Sequence, residues 1–345
     1  MIRRIALLTS VVVVIVAAFA ETASATDIVT AIKVKKPPVL TAGPTDPVWA
    51  KAKALTVSLT GGANFKDGKT SAAIKAVYVG DMFYMLVEYD DPTQSVRRVP
   101  YQKQTDGIWK KLRDPNDKGG DENLYYEDKL ALIWNVANSI RNFNQLGCMT
   151  SCHAGEPGKP YGNKYTMSAG ELGDIWHMKS VRTGPVGQVD DQYLDNTRFD
   201  KEIAPGAGRK SDPKTGGGYT NIELVNGKPE FMDRRGTASN KKSGTYYLKE
   251  DSKLSFDDGK FEPGDEVASI TIAPFAGDRG DVAASMNWKN GKWTVVMSRK
   301  LVTGGKYDVQ FEKLDATYEF GLAAFDNAQV RHAFHVGSLK LQFRN

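Results

Sequence analysis

Cysteine is scarce in this sequence: Cys148 and Cys152 are the only two in 345 residues, and there are four histidines. Patterns that carry other kinds of chemistry are missing as well. There are no paired carboxylates, no Ser-His-Asp order and no phosphate-binding loop, so a hydrolase or a nucleotide-dependent enzyme has no support. The formal net charge is only +5. A balance of this kind does not indicate a nucleic-acid partner.

A long apolar run occurs only near the N-terminus. Arg3 and Arg4 precede an apolar stretch at 5–19, and 23–25 read Ala-Ser-Ala, the small-x-small form of a cleavage site. This order is typical of a secretory signal peptide, so we expect residues 1–25 to be removed and the mature chain to be periplasmic. No later run approaches the roughly 20 apolar residues that a membrane span requires.

Helical periodicity is weak, and the chain reads as strands. "AIKAVYV" and "MFYMLVEY" flank Gly80-Asp81, and Asn290-Gly291 joins two further β-rich runs; both patterns predict hairpins. The closing "SLKLQF" alternates apolar and polar residues, which predicts a half-buried strand. Many short strands separated by Gly and Pro indicate an all-β fold, an antiparallel β-sandwich.

Two regions depart from this pattern. Residues 169–181 are the one candidate for a short helix, placed after the cysteines. Residues 184–264 are rich in Gly and Pro and too poor in apolar residues for a core of their own. We therefore expect a long, loop-rich insertion, of the kind that covers a site or a partner surface. Residues 26–345 are predicted to form a single domain.

The two cysteines lie in "CMTSCH", where His153 follows Cys152 directly. A Cys148–Cys152 disulfide is permitted in an exported protein, but it would close a tiny loop and leave the histidine unexplained. A zinc site would need a further ligand from the other histidines. Covalent attachment of haem normally uses Cys-x-x-Cys-His, one residue shorter. Haem explains the two thiols, the adjacent histidine and the export signal together, so we predict one covalently attached haem c with His153 as an iron ligand.

The chain also resembles a known family. The similarity runs from about residue 46 to residue 343, apart from 184–264, and rests on segments in a fixed order: "TDPVWAKAKALTVSL", "AIKAVYVGDMFYMLVEYDDPT", "YYEDKLALIWNV", "GDIWHMKSVR", "MNWKNGKWTVVMSRKL", "FGLAAFDN" and "RHAFHVGSLKLQF". Together they resemble the haem-binding domain of the ethylbenzene dehydrogenase gamma subunit and of related molybdenum oxidoreductases. The resemblance implies a β-sandwich whose end loops hold one haem.

The resemblance also implies where the ligands lie. In the gamma subunits the haem is not covalently attached, and a methionine and a lysine ligate the iron. The loop that would carry the methionine contains Cys148, Cys152 and His153 here. The place of the lysine, before the last strand, offers His335, our predicted second ligand, and His332, its rival. By the same comparison, His177 is expected to contact a propionate or a ligand, while Arg331 is placed near the propionates by sequence proximity alone.

Two functions follow from these expectations. A haem with two protein ligands has no open position, so it passes single electrons. The protein would then be a periplasmic c-type cytochrome, either free-standing or the haem subunit of a molybdopterin enzyme, and its partner a redox protein. The alternative is a five-coordinate haem with a catalytic or gas-sensing role.

Overall fold

The computed structural model describes residues 27–117, 124–153 and 164–345. The predicted signal peptide lies outside these residues. The strands of the described residues are, in chain order, β1 (Ile28–Lys33), β2 (Leu55–Thr60), β3 (Lys69–Val79), β4 (Met82–Asp90), β5 (Tyr101–Lys103), β6 (Trp109–Lys111), β7 (Lys129–Asn135), β8 (Gly173–Lys179), β9 (Asp190–Leu194), β10 (Arg209–Ser211), β11 (Gly216–Asn221), β12 (Leu224–Val225), β13 (Lys228–Pro229), β14 (Phe231–Asp233), β15 (Leu248–Lys249), β16 (Lys253–Ser255), β17 (Glu266–Val267), β18 (Ile270–Ala276), β19 (Ala283–Trp288), β20 (Lys292–Lys300), β21 (Thr317–Phe325), β22 (Ala333–Phe334) and β23 (Leu339–Arg344). One short α-helix, α1, spans Phe143–Leu146. The predicted all-β class is confirmed.

Thirteen strands form one large sheet in the order β10-β9-β8-β7-β21-β22-β2-β3-β4-β20-β19, with β1 and β23 bridging β3 and β21. Two routes therefore connect β21 to β3, one through β22 and β2 and the other through β23 and β1. The sheet folds onto itself at this point into two facing layers, β8-β7-β21 and β3-β4-β20. Pairing is antiparallel except at β1, which runs parallel to both of its neighbours.

The predicted hairpins form as expected. β3 and β4 pair across Gly80-Asp81, and β19 pairs with β20 across a turn in which Asn290 and Gly291 both have positive φ. Two consecutive positive φ values suit a tight hairpin because they match the twist of the strands. β23 buries Leu339, Leu341 and Phe343, as its alternation predicts.

The main core lies between the two layers. Phe83 on β4 packs against Trp134 on β7 and Trp176 on β8, with ring centroids 6.4 and 6.3 Å apart. The even-numbered residues of β7, β8 and β21 point into this core, including Leu132, Trp176 and Leu322. The odd-numbered residues of the same strands therefore face the other side of the layer.

The predicted helix after the cysteines is wrong. Residues 173–179 form strand β8, and all of them are buried. Because the main core covers one face of β8 and a second apolar group covers the other, no alternation of apolar and polar residues appears in the sequence. The sequence of β8, Gly-Asp-Ile-Trp-His-Met-Lys, mixes apolar and polar residues without a period of two, so it does not distinguish a strand buried on both faces from a helix.

The segment 184–264 contains more strand than its composition suggests. β9 and β10 extend the large sheet beyond β8, while β12–β13 and β14–β16 form separate two-stranded pairs. Met232 and Phe261 of this segment pack on Tyr101 and Trp109, which lie outside it. The segment thus completes its small apolar cluster with aromatic rings supplied by an earlier part of the chain.

Candidate functional site

A cavity of about 530 Å³ lies on the outer face of the β9-β8-β7-β21 layer. Its size falls in the range of cofactor sites. The floor consists of the odd-numbered strand residues that point away from the main core, among them Ile133, Ile175 and Ala323. The loops before β8 and before β22 supply the walls. The strands thus provide a rigid apolar surface, and the loops bring the reactive side chains to it.

Both cysteines line this cavity as free thiols. Cys148 lies in a 3-10 turn, Gly147–Thr150, and its carbonyl accepts hydrogen bonds from the backbone N–H groups of Ser151 and His153. Burial, with a smaller contribution from Cys152, raises the pKa of the Cys148 thiol to about 12, and burial also raises the pKa of Cys152. Both sulfurs are therefore neutral thiols at neutral pH.

Two glycines allow the cysteine turn to approach the sheet. A Cβ atom at Gly321 on β21 would lie 3.3 Å from the Cys148 sulfur, so the sulfur sits directly above that strand. Gly147 has a positive φ of 54°, and a Cβ atom there would lie 2.0 Å from the Gly337 carbonyl oxygen. The backbone of the cysteine turn thus rests against the loop that leads into β23.

His153 and His332 meet inside the cavity. Their Nε2 atoms are 3.2 Å apart, and the His153 ring stacks on Phe334 with centroids 4.7 Å apart. Burial lowers the pKa of His153; burial, followed by repulsion from His153, lowers the pKa of His332 to about 3. Both imidazoles are therefore neutral at physiological pH, which is the form that ligates metals.

His335, our predicted second ligand, does not join this pair and lies outside the cavity. Its Nε2 atom lies 3.9 Å from the Asp27 carboxylate, and the residue is not part of the cavity lining. The chain is extended through β22, and residues an odd number apart on a strand point to opposite faces. His332 and Phe334 face the cavity, so His335 faces away from it.

His177 and Arg331 both line the cavity. The His177 Nδ1 atom is 3.4 Å from the Gln192 side-chain oxygen, while its Nε2 atom is buried without a hydrogen-bond partner. Burial, together with the charges of Lys179 and Lys129, lowers the pKa of His177 well below its usual value. His177 is thus a neutral imidazole with one nitrogen available to a ligand.

Two further basic residues, Lys164 and Arg209, line the cavity and were not predicted from the sequence. Arg209 lies on β10, inside the segment expected to be loop, and Lys164 stands alone in a polar stretch. Nothing in the local sequence marks either one. Phe334 could have been found, because it lies two residues after His332 on a strand and therefore shares its face.

The residues present fit a flat, apolar cofactor that carries a metal and acidic groups. The floor is apolar, two buried thiols lie beside it, and two neutral imidazoles meet above it. Among the described residues, the groups of three or more side chains close enough to share an ion contain only aspartates. The zinc alternative therefore gains no support from the position of the cysteines.

Similarity to solved structures is distant. Two matches are to a carbohydrate-binding module of family 9 from Caldicellulosiruptor kristjanssonii. The complex with cellotriose has 10% identity, a TM-score of 0.33 and coverage of 92% of this chain and 95% of that one. The complex with glucose has 10% identity, a TM-score of 0.32 and coverage of 92% and 97%. A Bacteroides uniformis protein described as carbohydrate-binding has 9% identity, a TM-score of 0.36 and coverage of 92% and 99%.

No curated protein matches the sequence. In the described part of the chain, no helix has the length and apolar character needed to cross a membrane. A family model described as ethylbenzene dehydrogenase matches residues 46–337, which include every cavity residue named above. The chain therefore belongs to the ethylbenzene dehydrogenase family.

Proposed function

We propose that this protein binds one haem in the cavity described above and passes single electrons. The observation that carries the proposal is the meeting of His153 and His332 at 3.2 Å between their Nε2 atoms, in a cavity that both cysteines also line. Haem held by two protein ligands supplies one-electron chemistry. The family to which the chain belongs supports an oxidoreductase role.

Each side chain then has a distinct task. Cys148 and Cys152 would hold the cofactor through their thiols. His153 and His332 would ligate its metal. Lys164, Arg209 and Arg331 supply positive charge for its acidic groups, and His177 offers its unpartnered Nε2 atom. Charge-assisted contacts of this kind fix orientation as well as adding binding energy.

The geometry favours an electron carrier over an open haem. His332 already points at His153, so the second ligand needs no rearrangement of a distant segment. In the open alternative, the buried imidazole of His332 would face the cofactor without a role. We therefore assign both histidines as ligands.

We further propose that the protein is periplasmic and serves as the haem subunit of a molybdopterin oxidoreductase. The N-terminal signal pattern supports export, and the family match supports a dehydrogenase-like subunit. Affinity purification of the exported chain from its native host tests the assembly. Recovery of a stoichiometric molybdopterin subunit is expected; recovery of the cytochrome alone would instead make it a free carrier.

Optical spectroscopy tests the electron-carrier assignment. The ferric protein is expected to be low-spin, and the reduced spectrum should not change when carbon monoxide is added, because His153 and His332 would leave the iron no open position. A reduced protein that binds carbon monoxide rapidly and completely would contradict the assignment and support the five-coordinate alternative.

A further inference from the structure

Five aspartates gather at the edge of the main core, on the side of β8 opposite the cavity. They come from five separate segments: Asp174 on β8, Asp191 on β9, Asp212 after β10, Asp281 before β19 and Asp308 between β20 and β21. All except Asp281 are almost completely buried, with exposed fractions of 0–4%. Carboxylates are seldom buried in such numbers unless something balances their charge.

Each of these five side chains has one buried oxygen without a hydrogen-bond partner. The atoms are Oδ1 of Asp174, Oδ2 of Asp191, Oδ1 of Asp212, Oδ1 of Asp281 and Oδ1 of Asp308. A buried polar atom without a hydrogen-bond partner destabilises the folded state. Five such acceptors converging on one region indicate a missing positive partner.

Arginine balances only part of this charge. Arg299 is buried and donates to Oδ2 of Asp174 at 3.1 Å and to the Val309 carbonyl. The other oxygen of Asp174 stays without a partner. One guanidinium therefore pairs with only one of these five carboxylates.

A second group of three aspartates whose oxygens lie close together, Asp91, Asp128 and Asp326, differs from this one in its hydrogen bonds. Asp128 accepts hydrogen bonds from the backbone N–H groups of Ser95 and Asn327 and from the Trp293 indole, which use both of its oxygens. Asp91 contributes the single unpartnered oxygen of that trio. In this second group, N–H donors bind both oxygens of Asp128, whereas Oδ2 of Asp191 in the first group has no partner.

The donor set and its spacing identify the kind of ion. Ligand oxygens of Asp191, Asp212 and Asp308 all lie within 4.8 Å of one another. Calcium binds six to eight oxygens at about 2.3–2.6 Å, so two ligands on opposite sides of one ion are about 5 Å apart. Magnesium requires a stricter octahedral geometry. Zinc and copper favour nitrogen or sulfur ligands, which this group does not supply.

We propose that Asp191, Asp212 and Asp308 bind a calcium ion, with the free oxygens of Asp174 and Asp281 completing its surroundings. The ion would tie β8, β9 and the β20–β21 loop together. Asp174 is adjacent to Ile175, whose side chain forms part of the cavity floor on the opposite face of β8. The site therefore stabilises the strand on which the cavity is built without contacting the cavity.

Calorimetric titration of the full-length, chelator-treated protein with calcium chloride tests the proposal. We expect one equivalent of calcium to bind and the melting temperature to rise by several degrees. Terbium gives an independent readout that needs no variant, because the Trp176 indole lies 3.2 Å from Oδ2 of Asp174 and can sensitise its emission. Absence of calcium binding up to millimolar concentration, together with absence of terbium emission, would overturn the proposal.

Variants then locate the ion. Asp191→Asn and Asp308→Asn keep the side-chain shape but remove charge, and each should weaken calcium binding about 100-fold. Asp195→Asn is the matched control. This variant should keep wild-type affinity for calcium, because the Asp195 carboxylate is already paired with Lys210 at 2.6 Å. Wild-type affinity in both cluster variants, or an equal loss in the control, would contradict the site. If a cluster variant does not fold, displacement of terbium by calcium in the wild-type protein still decides the matter.

Discussion

The side chain of His332 reaches the cavity because a short extended segment, β22, alternates its residues between two environments. His332 and Phe334 face His153, whereas His335 lies near Asp27 on the other side. Residues an odd number apart on an extended segment face opposite ways, so only one of the two histidines can face the cavity. The sequence did not show which one, because that depends on how β22 pairs with β2 and β21.

Replacing these histidines separately should give opposite results. On the proposed ligand assignment, His332→Ala removes the second ligand of the iron, so we expect the ferric spectrum to change from low-spin to high-spin. His335→Ala is the control from the opposite face and should stay low-spin. Optical and electron paramagnetic resonance spectra of the two variants make the comparison. A high-spin His335→Ala beside a low-spin His332→Ala would reverse the assignment.

At the scale of elements, the cysteine turn depends on its contact with the loop before β23. Gly147 and Gly80 have nearly the same positive φ, 54° and 57°, but only Gly147 faces a close neighbour, the Gly337 carbonyl. A side chain at Gly80 would meet nothing within 4 Å. A substitution at Gly80 therefore tests backbone strain alone, whereas a substitution at Gly147 tests strain together with a steric clash.

Substitution of alanine at each position should reveal that difference. Gly80→Ala should cost about 1 kcal/mol, because a left-handed conformation disfavours a Cβ atom. Gly147→Ala adds the clash and should cost several kcal/mol, with a lower haem content in the purified protein. Chemical denaturation and the ratio of haem to protein are the measurements. Equal losses in both variants would show that the turn does not need its contact with Gly337.

The strands of the sandwich were predicted unevenly, for a physical reason. β3, β4, β19 and β20 carry turn residues with special backbone angles, so the sequence specifies their hairpins directly. β8 is buried on both faces, and its period of two is hidden. The same double burial makes β8 the wall between the main core and the cavity, so the strand that is hardest to read from sequence is the one that positions His177.

For the whole molecule, a second buried acidic group joins the two layers of the sandwich. Asp91 follows β4 in one layer, and Asp128 and Asp326 border β7 and β21 in the other. The indole of Trp293 on β20 donates to Asp128 across this junction. Burial, followed by repulsion from Asp326, raises the pKa of Asp91 to about 7.

This group should make the stability of the fold depend on pH. The folded state holds the Asp91 proton more tightly than the unfolded state, so the free energy of unfolding should fall as pH rises from about 4 to about 7. Each unit of pKa shift is worth about 1.4 kcal/mol, so the expected change is a few kcal/mol. Denaturant unfolding at several pH values measures it, and Asp91→Asn should flatten this part of the profile. An unchanged profile in that variant would exclude Asp91 as the cause.

The overall sandwich could be anticipated because its strands carry their own turn signals, but the packing of 184–264 could not. Its small apolar cluster is completed by Tyr101 and Trp109, which lie far away in the sequence. Likewise, Lys164 and Arg209 reach the cavity only through the folded arrangement of β9 and β10. Long-range partners of this kind leave no periodic pattern in the segment that they complete.

The haem that we propose for the cavity would be joined covalently to Cys148 and Cys152. The most direct measurement is the intact mass of the exported protein after denaturation and extraction with acidified acetone, which removes haem that is not covalently bound. We predict the mass of the processed polypeptide plus one haem, and the bare polypeptide mass for the Cys148→Ala, Cys152→Ala double variant. A bare polypeptide from the wild-type protein would contradict covalent attachment.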